Sequence, residues 1–124
     1  MPTPLSGLRV LLVEDHSDSR DMFEESLAYL GAKVITAPTA EAGLARIAEV
    51  DVVVTDFALP GHDGIWLLEQ IRAATNVPVV LVSGFAASHI PAMAAAPFTL
   101  KLLKPIDPLE LGGQIALLMG RGRT

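Results

Sequence analysis

The 124-residue chain contains no cysteine. Disulfide bonds, thiolate metal sites and cysteine nucleophiles are therefore excluded. A small domain without cysteine fits a reducing compartment, so we expect a cytoplasmic protein. Long hydrophobic runs are also missing, since the apolar run at 77–82 is far shorter than the ~20 residues of a membrane-spanning helix. The N-terminal stretch contains prolines and no basic region, so we expect neither a signal peptide nor membrane insertion.

Positive charge is scarce as well. Nine lysines and arginines stand against 14 aspartates and glutamates, which gives a net charge of −5. The basic residues are scattered, and only Arg121 and Arg123 lie close together. Because a domain that binds nucleic acid usually carries a basic face, we expect no direct contact with nucleic acid.

Hydrophobic residues are abundant. They make up 51% of the chain and charged residues 19%, which excludes a disordered chain kept extended by its charge. The length corresponds to one domain of ordinary size. We therefore predict a single domain over residues 1–124, with a core at about 8–119 and short flexible tails at both ends.

Short apolar runs rich in β-branched residues alternate with helical patterns. The predicted strands lie at 9–13, 33–36, 52–55, 77–82 and 98–103. Two of these runs, RVLLV and VVVT, hardly alternate in polarity, which is typical of strands buried on both faces of a parallel sheet. The predicted helices lie at about 17–30, 39–48, 64–74 and 86–95, with a fifth after position 107.

Two helix starts carry recognisable caps. The first helix should begin with Ser17 or Asp18 as its N-cap. The last should begin with Asp107 as N-cap, Pro108 at the first helical position and Glu110 two residues later.

The alternation of strands and helices along the chain predicts an α/β protein with a flavodoxin-like, doubly wound fold. Its five-stranded parallel sheet has the order 2-1-3-4-5, with five helices completing three α/β/α layers.

Polar residues follow four of the predicted strands. Glu14 and Asp15 end the first strand, Asp56 the third, Ser83 the fourth and Lys104 the fifth. In such folds the ligand site lies at the carboxyl ends of the strands, so we expect these side chains to share one rim. Three neighbouring carboxylates need a counter-charge, and oxygen ligands without cysteine or histidine suit Mg²⁺.

This set of groups is suited to phosphoryl transfer. A divalent cation, an ammonium at Lys104 and a hydroxyl at Ser83 can together neutralise the oxygens of a phosphoryl group. Asp56 is the best candidate nucleophile, because the third strand is central in the predicted sheet. Each residue taken alone also suits a solvated turn, a helix cap or plain surface, but polar groups at four strand ends together favour a site.

The chain resembles the receiver domain of bacterial two-component response regulators. The resemblance covers residues 8 to about 118 and is carried by the segments RVLLVEDHSDSR, VVVTDFALPGHDG, VPVVLVSG and LLKP. It implies that Asp56 accepts a phosphoryl group from the phosphohistidine of a sensor histidine kinase or a phosphotransfer protein. It also implies that Asp15, Asp56 and the backbone carbonyl of Ala58 ligate Mg²⁺, with Glu14 acting through a metal-bound water.

The resemblance implies a switching role as well. Ser83 would form a hydrogen bond with the phosphoryl group and Lys104 would pair with it, shifting the face made by the fourth helix, fifth strand and fifth helix. A homodimer through that face is one option, and the downstream protein target stays open. The chain would then be a phosphoacceptor signalling domain and not an enzyme. The family also suggests a cis bond before Pro105.

Three positions depart from the usual family pattern or tune it. Lys101 stands where the family usually has an aromatic switch residue, three positions before Lys104. Ala58 and Phe85 lie two positions after Asp56 and Ser83, at places that modulate hydrolysis of the aspartyl phosphate in the family. We predict that the bulky Phe85 screens this bond from water and lengthens the phosphorylated lifetime.

Several alternatives remain open at this point. The chain could be a stand-alone regulator or phosphorelay intermediate, or a receiver from a hybrid histidine kinase or larger regulator. The opening at 5–10, LSGLRV, is similar to junctions that precede receivers in hybrid kinases. An aspartyl-phosphate phosphatase would normally carry a second aspartate where this chain has Ala58. A degenerate receiver used only for docking would not need the complete set of acids, hydroxyl and ammonium.

Overall fold

The computed structural model describes residues 3–121. The outermost residues of the two predicted flexible tails, 1–2 and 122–124, lie outside the described residues, and Arg123 is one of them. Five strands alternate with five α-helices along the described part of the chain. The strands are β1 (Arg9–Val13), β2 (Lys33–Ala37), β3 (Val52–Asp56), β4 (Val79–Ser83) and β5 (Leu100–Leu103). The helices are α1 (Ser17–Tyr29), α2 (Ala40–Leu44), α3 (Gly64–Ala74), α4 (Pro91–Ala95) and α5 (Pro108–Leu118).

The strands form one parallel sheet in the order β2-β1-β3-β4-β5, which confirms the predicted topology. The interior strands β1, β3 and β4 are buried almost throughout, as their unbroken apolar sequences predict. Because all strands run in the same direction, their carboxyl ends meet at one edge of the sheet.

The two faces of the sheet carry separate apolar layers. On one face α1 and α5 pack with Phe23, Leu27, Leu111 and Ile115. On the other face α2, α3 and α4 contribute residues that include Ala40, Leu67, Leu68, Ile71 and Met93. Burial of each large aliphatic or aromatic side chain contributes about 1.5–3 kcal/mol. These two layers hold the helices in place, so the loops between strands and helices at the carboxyl edge are fixed at both ends.

The observed start of α5 agrees with the sequence-based prediction, and the observed start of α1 differs from it. In α5 the Asp107 carboxylate accepts a hydrogen bond from the Leu109 N–H (2.7 Å) and Pro108 stands in the first turn, as predicted. In α1 the predicted N-cap at Ser17 or Asp18 is wrong, because the N-cap is His16. The helix begins one residue earlier, since the Arg20 N–H donates to the His16 carbonyl (2.9 Å).

Two helices are shorter than predicted. The pattern over 39–48 forms only α2 and a separate 3₁₀ turn at Ile47–Glu49. In the region 86–95, a 3₁₀ turn at Ala87–His89 precedes the five residues of α4. Pro91 explains this break, because proline disfavours helical backbone at the preceding residue and is tolerated in a first turn. Within residues 3–121 no helix combines the length and apolar character needed to cross a bilayer.

The packed chain begins upstream of the expected core limit at position 8. Leu5 is fully buried, and its N–H donates to the Leu30 carbonyl (2.9 Å). Gly31 makes this contact possible at the end of α1, because its φ of +102° favours glycine and a Cβ there would lie 2.9 Å from the Ser6 Cα.

Candidate functional site

Three carboxylates meet at the carboxyl edge of the sheet. Glu14 and Asp15 follow β1, and Asp56 is the last residue of β3. One oxygen from each of the three lies within 4.8 Å of the others. Because β1 and β3 are neighbours in the sheet, residues 42 positions apart in sequence come together here.

Lys104, just after β5, provides the positive charge of the site. Its ammonium donates to Glu14 Oε1 (2.9 Å) and to Asp56 Oδ2 (3.0 Å). The Glu14 side chain is 3% exposed, that of Asp56 12% and that of Lys104 26%. One ammonium thus compensates two mostly buried carboxylates, which leaves the site with an excess of negative charge.

Two carboxylate oxygens are buried without a hydrogen-bond partner among residues 3–121. They are Glu14 Oε2 and Asp15 Oδ1. A buried carboxylate oxygen that lacks both water and a donor carries a free-energy cost. Mg²⁺ would remove this cost, because it is a hard cation that binds oxygen ligands and retains several waters. The donor set therefore fits a divalent cation.

Burial and charge pairing act on the ionisation of this cluster. Burial raises the pKa of Glu14, because the hydrogen bond and charge of Lys104 compensate only in part and Asp56 adds repulsion. For Lys104 burial alone would lower the pKa, but the hydrogen bonds to Glu14 and Asp56 outweigh it and raise the pKa. The raised pKa keeps the Lys104 ammonium charged, whereas ionisation of Glu14 costs free energy at this position.

Backbone packing fixes the position of Asp56. Its Oδ1 accepts a hydrogen bond from the Phe57 N–H (2.7 Å), and its carbonyl accepts one from Thr55 Oγ1 (2.9 Å). At the start of α3, a Cβ on Gly64 would lie 2.6 Å from the Asp56 carbonyl oxygen. Glycine is therefore required there, and α3 packs directly against the end of β3.

Ser83 and Ala58 lie at the same edge, and the Lys104 backbone N–H donates to the Ser83 carbonyl (2.7 Å), whereas among residues 3–121 the Lys104 ammonium binds only Glu14 and Asp56. Ser83 is buried as the last residue of β4, where its Oγ accepts a hydrogen bond from the Phe85 N–H (3.0 Å). It lines a cavity of about 160 Å³ together with Phe85 and Lys101. Ala58 is exposed two residues after Asp56. The catalytic and metal-binding roles of all these residues stay predictions.

The model of the family "Response regulator receiver domain" matches residues 10–116. The chain belongs to this family. Receiver domains are signalling domains of two-component systems, so the family expected from the strand-end motifs is confirmed.

Curated relatives share part of the receiver domain. The virulence sensor protein BvgS of Bordetella pertussis is 44% identical over 77 residues, which are 60% of this chain and 6% of BvgS. An uncharacterised 14.6 kDa protein of Leptolyngbya boryana is 31% identical over 113 residues, which are 86% of each chain. The matched segment is 6% of BvgS and 33% of the uncharacterised transcriptional regulatory protein YrkP of Bacillus subtilis, so the chain spans only a small part of these relatives.

Solved structures share the fold along nearly the whole chain. A receiver domain protein of Methanospirillum hungatei has a TM-score of 0.82 and 27% identity, covering 94% of this chain and 97% of its own. The chemotaxis response regulator CheY4 of Vibrio cholerae has a TM-score of 0.83 at 23% identity, covering 91% and 99%. The second likeness shows the fold alone, and it agrees with the flavodoxin-like sheet order.

Within this receiver domain, the departure at Lys101 has a defined contact. The Lys101 ammonium donates to the Ala94 carbonyl (2.7 Å), so it binds the last turn of α4 from β5. Phe85 is 58% exposed beside the cavity shared with Ser83. Its predicted effect on hydrolysis stays a prediction.

Sequence reasoning missed one residue of the site. Arg20, in α1, donates from Nη1 to the carbonyls of Glu14 (2.9 Å) and Asp15 (3.4 Å). In the sequence it is only one of several scattered basic residues. The available signal is its place five residues after Asp15, which puts it at the end of the first turn of the following helix.

Proposed function

We propose that this receiver domain accepts a phosphoryl group on the Asp56 carboxylate in a Mg²⁺-dependent reaction. The observation that carries the proposal is the Lys104 ammonium bound to both Glu14 and Asp56, beside two buried carboxylate oxygens that have no hydrogen-bond partner within residues 3–121. The donor is the phosphohistidine of a sensor histidine kinase or a phosphotransfer protein. Phosphorylation then changes the contacts of the domain with a downstream protein.

In this proposal Glu14, Asp15, Asp56 and the Ala58 carbonyl hold Mg²⁺, which when bound supplies positive charge opposite the phosphoryl oxygens. A carboxylate oxygen of Asp56 attacks phosphorus while the phosphorus–nitrogen bond of the phosphohistidine breaks. The bonding electron pair leaves with the imidazole. Lys104 moves from the carboxylate to a phosphoryl oxygen, since the negative charge is now shared with that group.

Ser83 can take part without losing its present hydrogen bond. A hydroxyl has one donor and two acceptor lone pairs, and the Phe85 N–H uses only a lone pair. The hydroxyl proton is therefore free to be donated to the phosphoryl group. We infer that this contact would draw residues 83–85 toward Asp56 and pass the change on to α4, β5 and α5.

The same proposal makes the chain a phosphoacceptor that assists only its own phosphorylation and dephosphorylation. A phosphatase acting on separate substrates is disfavoured by Ala58, because that position carries no acid. We also propose that residues 1–124 form one receiver domain acting in the cytoplasm, in keeping with the cysteine-free sequence.

The test is labelling with acetyl phosphate followed by mass spectrometry of the intact protein. We expect the gain of one phosphoryl group with Mg²⁺ and none after chelation with EDTA. Asp56→Asn abolishes the gain, while Asp51→Asn, an equivalent change just before the same strand, retains it. Labelling of the Asp56→Asn protein at the parent level would contradict the assignment, and an unlabelled parent protein would point to a receiver used only for docking.

Similarity to BvgS favours a second arrangement, in which the domain belongs to a larger sensor protein. The shared segment is 44% identical but only 6% of BvgS. In that case the phosphohistidine comes from another part of the same polypeptide. A reading frame in the source genome that continues past codon 124 into further domains supports this arrangement, and a stop codon there contradicts a C-terminal extension.

A further inference from the structure

The loop between β1 and α1 carries the acid pair, and of its side chains only Glu14 is anchored within residues 3–121, by the Lys104 ammonium at Oε1 (2.9 Å). The Glu14 N–H still donates to the Ala37 carbonyl of the sheet (3.0 Å). Beyond it, the N-cap residue His16 makes no side-chain hydrogen bond to the start of α1. The carboxylate oxygens Glu14 Oε2 and Asp15 Oδ1 have no partner among the described residues either.

The Arg20 side chain binds two consecutive carbonyls of this loop, since its Nη1 donates to Glu14 O (2.9 Å) and Asp15 O (3.4 Å). The next carbonyl, that of His16, accepts the first backbone hydrogen bond of α1 from the Arg20 N–H (2.9 Å), which does not depend on the side chain. Within residues 3–121 the half-buried guanidinium forms no ion pair with a carboxylate within 4.0 Å. Its hydrogen bonds are thus directed at the loop backbone.

We propose that Arg20 is a positioning residue, which holds the Glu14–Asp15 backbone so that both carboxylates face the cation site. This inference rests on the proposed Mg²⁺-dependent function. A cation needs its ligands at set distances, and Mg²⁺ tolerates little distortion. Since Asp15 Oδ1 has no hydrogen-bond partner within residues 3–121, the backbone of the loop decides where the Asp15 carboxylate points. Partners of this kind, which touch ligands and not the metal, typically contribute about 10–100-fold to metal affinity.

The charge of Arg20 has the opposite effect. A guanidinium near the site repels a divalent cation, so removal of its charge alone would strengthen cation binding. Loss of positioning would weaken binding, because the acid pair would no longer be held in place. The sign of the change in Mg²⁺ affinity therefore separates a positioning role from a purely electrostatic one, and a merely structural role would leave the affinity of the folded protein unchanged.

The experiment is calorimetric titration of the full chain with MgCl₂ for the parent protein and for Arg20→Gln, Arg20→Lys and Arg72→Gln. Arg72 is the matched control, because its Nη1 also binds a backbone carbonyl, that of Val77 (2.6 Å), before the start of β4. We expect Arg20→Gln to bind Mg²⁺ about tenfold more weakly than the parent. Arg20→Lys retains the charge and one donor group, so its affinity falls between those two.

The outcomes separate this inference from the function on which it rests. Unchanged or tighter Mg²⁺ binding by folded Arg20→Gln overturns the positioning role, as does an equal loss in Arg72→Gln. No binding by the parent protein contradicts the proposed function itself. Circular dichroism checks that each variant is folded, and if Arg20→Gln is not, the comparison of Arg20→Lys with the parent decides, equal affinities overturning the inference.

Discussion

At the scale of single residues, the Lys104 ammonium supplies positive charge at a place where a metal ion could also supply it. Its ammonium lies 2.9 Å from Glu14 Oε1 and 3.0 Å from Asp56 Oδ2, where it offsets the repulsion between two mostly buried acids. A bound divalent cation would offset the same repulsion. The lysine and the cation therefore compensate for each other in the folded protein, and removal of one should increase the effect of the other.

Lys104→Met should destabilise the metal-free protein by about 2 kcal/mol, since buried carboxylates lose their compensating charge. We expect Mg²⁺ to raise the free energy of unfolding more in this variant than in the parent protein, as measured by urea denaturation with MgCl₂ or EDTA. Lys101→Met, a second lysine lost from the same region, should show no such added effect. An equal response of Lys104→Met and parent to Mg²⁺ would refute the compensation.

At the scale of helices and strands, a helix start could be predicted where residues within one turn determine it. The start of α5 followed from Asp107 and Pro108, because a cap and a fixed φ act within one turn. The start of α1 did not, because Ser17 and Asp18 are both suitable N-cap residues, whereas the N-cap in the structure is His16. The division of the fourth helix is visible in Pro91, but the sequence does not tell how little helix remains after it.

The shortness of α4 makes its contact with Lys101 important. Five residues form only a little more than one helical turn, which is marginal without outside support. The hydrogen bond from Lys101 Nζ to the Ala94 carbonyl binds its last turn to β5. This contact could not be predicted from the sequence, because it depends on the direction in which a half-buried lysine extends.

Lys101→Met should therefore loosen α4 while the sheet stays intact. The apolar replacement keeps most of the length of the side chain but leaves the Ala94 carbonyl without its donor. Amide hydrogen exchange in α4 should become about fivefold faster, equivalent to the loss of about 1 kcal/mol of local stability. Exchange in β3 should be unaffected. Unchanged protection of α4 would show that the lysine contact does not stabilise the helix.

At the scale of the whole molecule, the two edges of the sheet differ in kind. The carboxyl edge gathers acids, two of whose oxygens have no hydrogen-bond partner in the described part of the chain. Its composition could be predicted because the topology alone brings four strand ends together. The hydrogen bonds of Arg20 and the separate cavity at Ser83 could not, since they depend on side-chain direction. At the opposite edge, Asp51 accepts bonds from the Arg9 backbone N–H, Nε and Nη2, joining the starts of β1 and β3.

This opposite edge should stabilise the fold in a pH-dependent way. The side-chain and backbone hydrogen bonds from Arg9 lower the pKa of Asp51 below its usual 3.8. A lowered folded-state pKa means that the stabilisation is fully present above pH 3.8 and is lost as the pH falls through the folded-state value.

Asp51→Asn is the variant that isolates this contribution. Because the pair is partly exposed, we expect Asp51→Asn to lower the free energy of unfolding by about 0.5–1 kcal/mol at neutral pH. The difference from the parent should vanish at a pH below the folded-state pKa, where the aspartic acid is as neutral as the amide. Urea denaturation of both proteins across this range measures it. A difference that persists in acid would mean that shape and hydrogen bonding, not charge, join the two strands at this edge. The charge of Asp51 would then contribute nothing to stability, and only the carboxyl edge would owe its properties to its charges.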